Sequence, residues 1–136
     1  IKLNANRDLD GCRKVILDAV QQAQGKGCGP GILGVCIGGD RATGYDFSKT
    51  QFLRDLDDRH DNAELDGLEQ DILTTANKLG IGPMGFGGQT TLLGVKVTAA
   101  NRLPASFFVS ISYMCWAFRR HGATLGNDGE ITEWLY

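Results

Sequence analysis

The stretch GKGCGPGILGVCIGGD, residues 25–40, constrains the fold more than any other part of this chain. It carries seven glycines and two cysteines in sixteen positions. Glycine loses more backbone freedom on ordering than any other residue, so such a density needs a compensating use. Two uses are open: close approach of backbone to something bulky, and exposed N–H groups that donate to anions or sulfides. The apolar run GILGVCIGG, with its Ile and Val content and flanking glycines, predicts a short buried strand. Pattern alone leaves a buried helical segment open for the same run. Cys36 lies inside the run and reads as core, whereas Cys28 lies in the loop before it.

Upstream, Cys12, Val15, Ile16, Ala19, Val20 and Ala23 recur at helical spacing. Asp8 or Asp10 is placed to cap this helix and Gly25 or Gly27 to end it. Cys12 falls on its apolar face, as a small buried hydrophobe. Residues 44–80 read as helical and solvated on one side, with Leu65, Leu68, Ile72, Ala76 and Leu79 as the apolar stripe. Asn62 is the N-cap and Gly80 the C′ residue. The acidic residues Asp55, Asp57, Asp58 and Asp61 around His60 read as a solvated turn rather than a metal site. A second glycine loop, GIGPMGFGGQT, leads into a strand carrying Leu92, Val95 and Val97. The pattern of helix, glycine loop and strand therefore recurs. Phe107, Val109, Ile111 and Tyr113 alternate with smaller residues as a further strand, which ends at Cys115. Asp128-Gly129 between two β-prone segments predicts a hairpin.

Composition narrows the class. With 136 residues and 42% apolar content, one globular domain spanning residues 1–136 is expected. Sixteen acidic residues against fourteen basic ones, interspersed, offer no attraction to nucleic acid or to an anionic membrane. No apolar stretch is long enough to span a bilayer, and no signal-like leader is present, so a soluble cytoplasmic protein is expected. The chain begins at Ile1 and soon enters a helix, which fits a piece of something longer. Cys12, Cys28, Cys36 and Cys115 form no CxxC pair and no zinc spacing. The formal G-x-G-x-x-G of residues 29–34 follows a helix and enters a strand, the reverse of a dinucleotide fingerprint. Residues 82–90 resemble a phosphate loop but lack a lysine before Thr90.

Three segments, GKGCGPGILGVCIGGD, LGIGPMGFGGQTTLLGVKV and LPASFFVSISYMCWAFRR, resemble the iron–sulfur dependent class I fumarate hydratases and the related L-tartrate dehydratases. The likeness is to the later part of their N-terminal domain or alpha subunit. It runs in order through most of residues 7–136. The resemblance implies a mixed β-sheet flanked by helices, an α/β (α+β) architecture, with the chain as a fragment of the larger enzyme. It implies a [4Fe–4S] cluster held by three cysteines, two of which match Cys28 and Cys115, with the third expected outside this chain. One iron stays open to bind a hydroxy-diacid, and water is added or removed reversibly, as between fumarate and malate. Arg119 and the loop residues Gly87, Gly88 and Gln89 become candidates for contact with the small dicarboxylate substrate.

Within that resemblance the base and the main carboxylate binders belong to a C-terminal domain or beta subunit. The isolated chain is accordingly expected to be inactive, and the full enzyme to be a homo-oligomer. Three positions depart from the family pattern: Leu103 and Arg120 stand where histidines are common, and Asp40 where threonine is usual. The alternative from a different class is a cluster-free binding or structural domain of the same ancestry, with Cys28 and Cys115 merely buried. Spatial proximity of the two sulfurs separates these readings.

Overall fold

A computed structural model describes residues 6–23 and 25–135; the start of the chain at Ile1 lies outside them. The elements are α1 (Leu9–Ala23), β1 (Gly31–Gly39), α2 (Arg41–Thr50), α3 (Ala63–Lys78), β2 (Leu92–Arg102), β3 (Val109–Cys115), β4 (Ala123–Leu125) and β5 (Ile131–Trp134). Short 3-10 turns occupy Gln51–Leu53, Pro83–Gly85 and Trp116–Phe118.

The run GILGVCIGG is a strand throughout, and every residue of it is buried. It is the middle of a three-stranded mixed sheet in the order β2-β1-β3, parallel to β2 and antiparallel to β3. A central strand covered on both faces needs apolar residues at every position, which explains an unbroken apolar run in place of alternation.

The register sorts the side chains onto two faces. Leu33, Val35 and Ile37 stand level with Val95 and Val97 on β2 and with Tyr113, Ile111 and Val109 on β3. They form one core with Cys12, Ile16 and Val20 of α1 and with Leu65, Leu68, Ile72 and Ala76 of α3. On the other face Gly34 and Ser112 meet α2. A β-carbon at Gly34 would fall 2.0 Å from the Ser48 carbonyl oxygen. The Ser48 and Ser112 hydroxyls lie 2.7 Å apart, so neither is left unpaired in the interior. The architecture is α+β: a mixed sheet flanked by helices, followed by the β4–β5 hairpin.

The cap signals behave as read, whereas Leu79, expected on the apolar stripe, is the C-cap of α3 and is exposed. Asp8 Oδ1 accepts from the Gly11 N–H at 2.8 Å at the start of α1. Asn62 Oδ1 accepts from Glu64 and Leu65 N–H groups at 3.0 and 3.1 Å. Gly80, with φ +67°, follows α3 as its C′ residue. Cys12 and Cys36 are fully buried, and burial pushes the Cys12 thiol up to about 11.

One expectation is corrected. Residues 44–80 are not one helical stretch; α2 and α3 are separated by an extended turn that begins where Arg54 adopts φ −72°, ψ 153°. The turn is held from within the protein. Arg54 Nη2 donates to Asp58 at 2.7 Å, and Lys96 Nζ donates to the Asp58 carboxylate at 2.5 Å and to its carbonyl at 3.0 Å. His60 is half-buried, and its Nδ1 accepts from the Asn62 N–H at 2.9 Å. Among the described residues, no helix is long and apolar enough to cross a membrane.

Candidate functional site

Cys28 and Cys115 are brought together by strand register. Gly31, the first residue of β1, pairs with Cys115, the last of β3. The loop running back from Gly31 therefore passes the end of β3, and there the two thiols lie close enough to perturb each other's ionisation. Cys28 is exposed and Cys115 half-buried, so the pair faces outward. The two sulfurs are not equivalent. The Ala117 N–H, the Cys28 thiol and the Arg119 charge hold Cys115 below the usual thiol value. Cys28, with Cys115 and its negative charge close by, is pushed up.

The glycines beside Cys28 answer to aromatic rings. A β-carbon at Gly31 would fall 2.2 Å from Cζ and Oη of Tyr113, and one at Gly29 would fall 2.4 Å from Cδ1 of Trp116. Gly29 also takes φ +67°, a conformation that disfavours side chains. Close approach is thus the first use of glycine here. Burial, followed by the nearby Cys115 charge, pushes the Tyr113 phenol up. The sequence places Tyr113 only in the strand alternation, and Trp116 stands outside every pattern it offers. The available signal was an aromatic residue two positions before, and another directly after, a cysteine that ends a strand.

Arg119 lies at the end of the Trp116–Phe118 turn, its guanidinium 4.1 Å from the centre of the Trp116 ring. It borders a cavity of about 460 Å³ with Phe52, Arg54, Lys96, Phe118 and Arg120. Arg120 Nη2 lies 3.7 Å from Asp55. Gly87, Gly88 and Gln89 are exposed in the second glycine loop. That loop meets the first one at Gly25, where a β-carbon would fall 2.3 Å from the Met84 carbonyl oxygen. The Gly87 N–H donates inward to the Ile81 carbonyl at 2.8 Å. Of the departures, Leu103 is half exposed to solvent, and Asp40 caps α2, its Oδ1 accepting from Ala42 and Thr43 N–H groups at 2.8 Å each.

Two neighbouring thiols at one edge form a soft donor pair suited to iron or another thiophilic metal. Among the described residues, no set of three or more His, Cys, Asp and Glu side chains is arranged to hold a metal ion.

Fold and site together define an α+β fold with two cysteines at one edge and two glycine loops that meet at Gly25. The family described as fumarate hydratase (Fumerase) matches residues 1–124, and the chain belongs to that family. A Geobacillus stearothermophilus protein named as a class I fumarate hydratase is 62% identical over 133 residues, covering 97% of this chain and 26% of its own length. A Methanocaldococcus jannaschii protein named as an L(+)-tartrate dehydratase alpha subunit is 36% identical over 118 residues, covering 87% and 41%. The L(+)-tartrate dehydratase alpha subunit of Escherichia coli is 32% identical over 130 residues, covering 96% and 42%. The chain thus spans about a quarter to two fifths of the length of these relatives.

Proposed function

We propose that this chain is one domain of the N-terminal or alpha part of an iron–sulfur hydro-lyase. Its substrate class is a small hydroxy-diacid, with fumarate and malate as the first pair to test and tartrate as the second. The proximity of Cys28 and Cys115, set by the pairing of Gly31 with Cys115, is the observation that supports this reading. These two cysteines, matched by resemblance to cluster ligands, come from distant parts of the sequence and share one exposed edge. Cys28 and Cys115 would hold a [4Fe–4S] cluster together with a third cysteine from outside this chain. When bound, such a cluster supplies an open iron, a Lewis acid for a hydroxyl and its neighbouring carboxylate.

The chain's own residues contribute charge and shape. Arg119, beside the thiol pair and bordering the cavity, offers a guanidinium to a substrate carboxylate. Gly87, Gly88 and Gln89 would face the same substrate from the second loop. The base that moves the carbon-bound proton, and further carboxylate binders, belong to a C-terminal domain or beta subunit, so this chain alone is inactive. The assembled enzyme is a cytoplasmic homo-oligomer.

Anaerobic reconstitution with iron and sulfide tests this reading, comparing the chain with a version extended upstream to recover the third cysteine. The extended protein is expected to take up about four irons and to show the broad visible absorption of thiolate-bound clusters. Cys28→Ser or Cys115→Ser is expected to abolish that uptake. An extended protein that binds no cluster overturns the ligand assignment and leaves common ancestry without the chemistry.

A further inference from the structure

Trp116 has contacts that belong to two different parts of the site. One edge of its indole closes on the loop, where a β-carbon at Gly29 would fall 2.4 Å from Cδ1 and 2.9 Å from Nε1. Its face carries the Arg119 guanidinium at 4.1 Å, and the Arg119 N–H donates to the Trp116 carbonyl at 3.0 Å. A single rigid ring thus touches both the residue after Cys28 and the cation next to Cys115. We propose that Trp116 is the positioning residue of the thiol pair. Wedged between the Gly29 backbone and Arg119, the indole seats the Cys28 loop against the end of β3 and fixes the direction of Arg119.

The physical case rests on what a glycine loop lacks. Residues 25–30 carry three glycines and no helix or strand, so without a clamp the loop samples many conformations and Cys28 leaves Cys115. A tryptophan has few rotatable bonds and a large contact area, so it fixes a loop at small entropic cost. The absence of a side chain at Gly29 is what lets the ring lie flush, and a cation–π contact with Arg119 orients the ring from its other side. The value of this clamp to a cluster rests on the function proposed above, whereas the thiol geometry stands apart from it.

Phenylarsine oxide tests the clamp without iron or turnover. Its arsenic takes two thiols that lie within reach, forming two As–S bonds while both thiol protons leave with the arsenic-bound oxygen as water. Cys12 and Cys36 are fully buried and do not compete. The chain is expected to capture one equivalent, with loss of two reagent-accessible thiols. Trp116→Ala is expected to weaken capture about tenfold or more at an unchanged melting temperature, because a pre-organised pair binds better than a mobile one. Trp116→Phe is expected to stay within about threefold of the parent, since a flat ring remains.

Gly29→Ala, which drives a β-carbon into the indole, is expected to weaken capture like Trp116→Ala. The same change made on top of Trp116→Ala is expected to cost less, because the ring it collides with is gone and only the strain of a side chain at φ +67° remains. Parent-like capture by folded Trp116→Ala overturns the proposal. Should that variant not fold, parent-like capture by Gly29→Ala overturns it equally. The two readings fail separately. Loss of capture in Trp116→Ala supports the clamp even if the extended protein takes up no iron, and unchanged capture removes the clamp even if iron uptake is normal.

Discussion

At the scale of single residues, the least expected group is Glu69, a carboxylate with a side chain 0% exposed. It is fully engaged, accepting from Arg54 Nη1 at 2.7 Å and from the Val97 N–H at 2.6 Å. Removing one member of a buried ion pair leaves its partners desolvated, so Glu69→Ala is expected to cost about 3 kcal/mol in urea unfolding. Glu69→Gln keeps an acceptor for Val97 and is expected to cost about half as much. Asp58 is the pH-sensitive neighbour. Arg54, and then Lys96, hold its carboxyl down at about 2, below its ordinary 3.8. A depressed acid stabilises the fold above its unfolded value and loses that contribution as pH falls through its folded value. Stability is therefore expected to decline from about pH 4 toward pH 2, by about 1 to 2 kcal/mol after allowance for partial exposure. Asp58→Asn is expected to flatten that limb, and an unaltered acid limb would contradict the assignment.

At the scale of elements, β2 and β3 are the two edges of a short sheet, and a bare edge invites pairing with other chains. The outer side of β2 is closed by side chains of the helix packed on it. Asn77 Oδ1 accepts from the Thr91 and Leu92 N–H groups at 2.8 Å each, and its Nδ2 donates to the Leu92 carbonyl at 3.1 Å. Glu69 serves Val97 further along the same edge. Asn77→Ala is expected to cost about 2 kcal/mol, because three hydrogen bonds go and only part of the backbone they served regains water. Amide exchange at Thr91 and Leu92 is expected to quicken selectively, leaving Val35 in the central strand protected. Uniform acceleration across the sheet would instead mean that Asn77 supports the whole fold and not its edge. At the other end of α3, Asn62→Ala removes the side-chain cap and is expected to cost about 1 kcal/mol.

At the scale of the whole molecule, the features legible in the sequence are those set by neighbouring residues. Asn62 and Gly80 bound α3, Asp128-Gly129 turns the hairpin, and the alternation over Phe107–Tyr113 runs into β3. Sheet order was not legible, because nothing local states that β1 runs parallel to β2 and antiparallel to β3. That order is what joins Cys28 to Cys115, so the pair was nameable by resemblance and not by spacing. Glu69 was hidden for a similar reason: next to Leu68 on an amphipathic helix it reads as solvated, and its partners Arg54 and Val97 lie in other elements.

The same division between local and distant order forecasts how the molecule opens. The β4–β5 hairpin forms its own two-stranded sheet, and its apolar side chains Leu125, Ile131 and Trp134 remain 63%, 48% and 59% exposed. It is tied mainly by its own ladder, by the Leu135 N–H to the Gly122 carbonyl at 2.8 Å, and by the His121 ring 4.8 Å from Trp134. Two strands without a covered face are marginal in water, whereas β1 is buried on both faces. Native-state hydrogen exchange is therefore expected to show hairpin amides opening in a separate low-energy step, with β1 amides exchanging only on global unfolding. Equal protection of Leu125 and Val35 would show that the hairpin unfolds with the core and that its exposed face is covered in solution. Association with a further domain or subunit over the hairpin's exposed face is expected to slow Leu125 and Ile131, because binding the folded hairpin disfavours its separate opening.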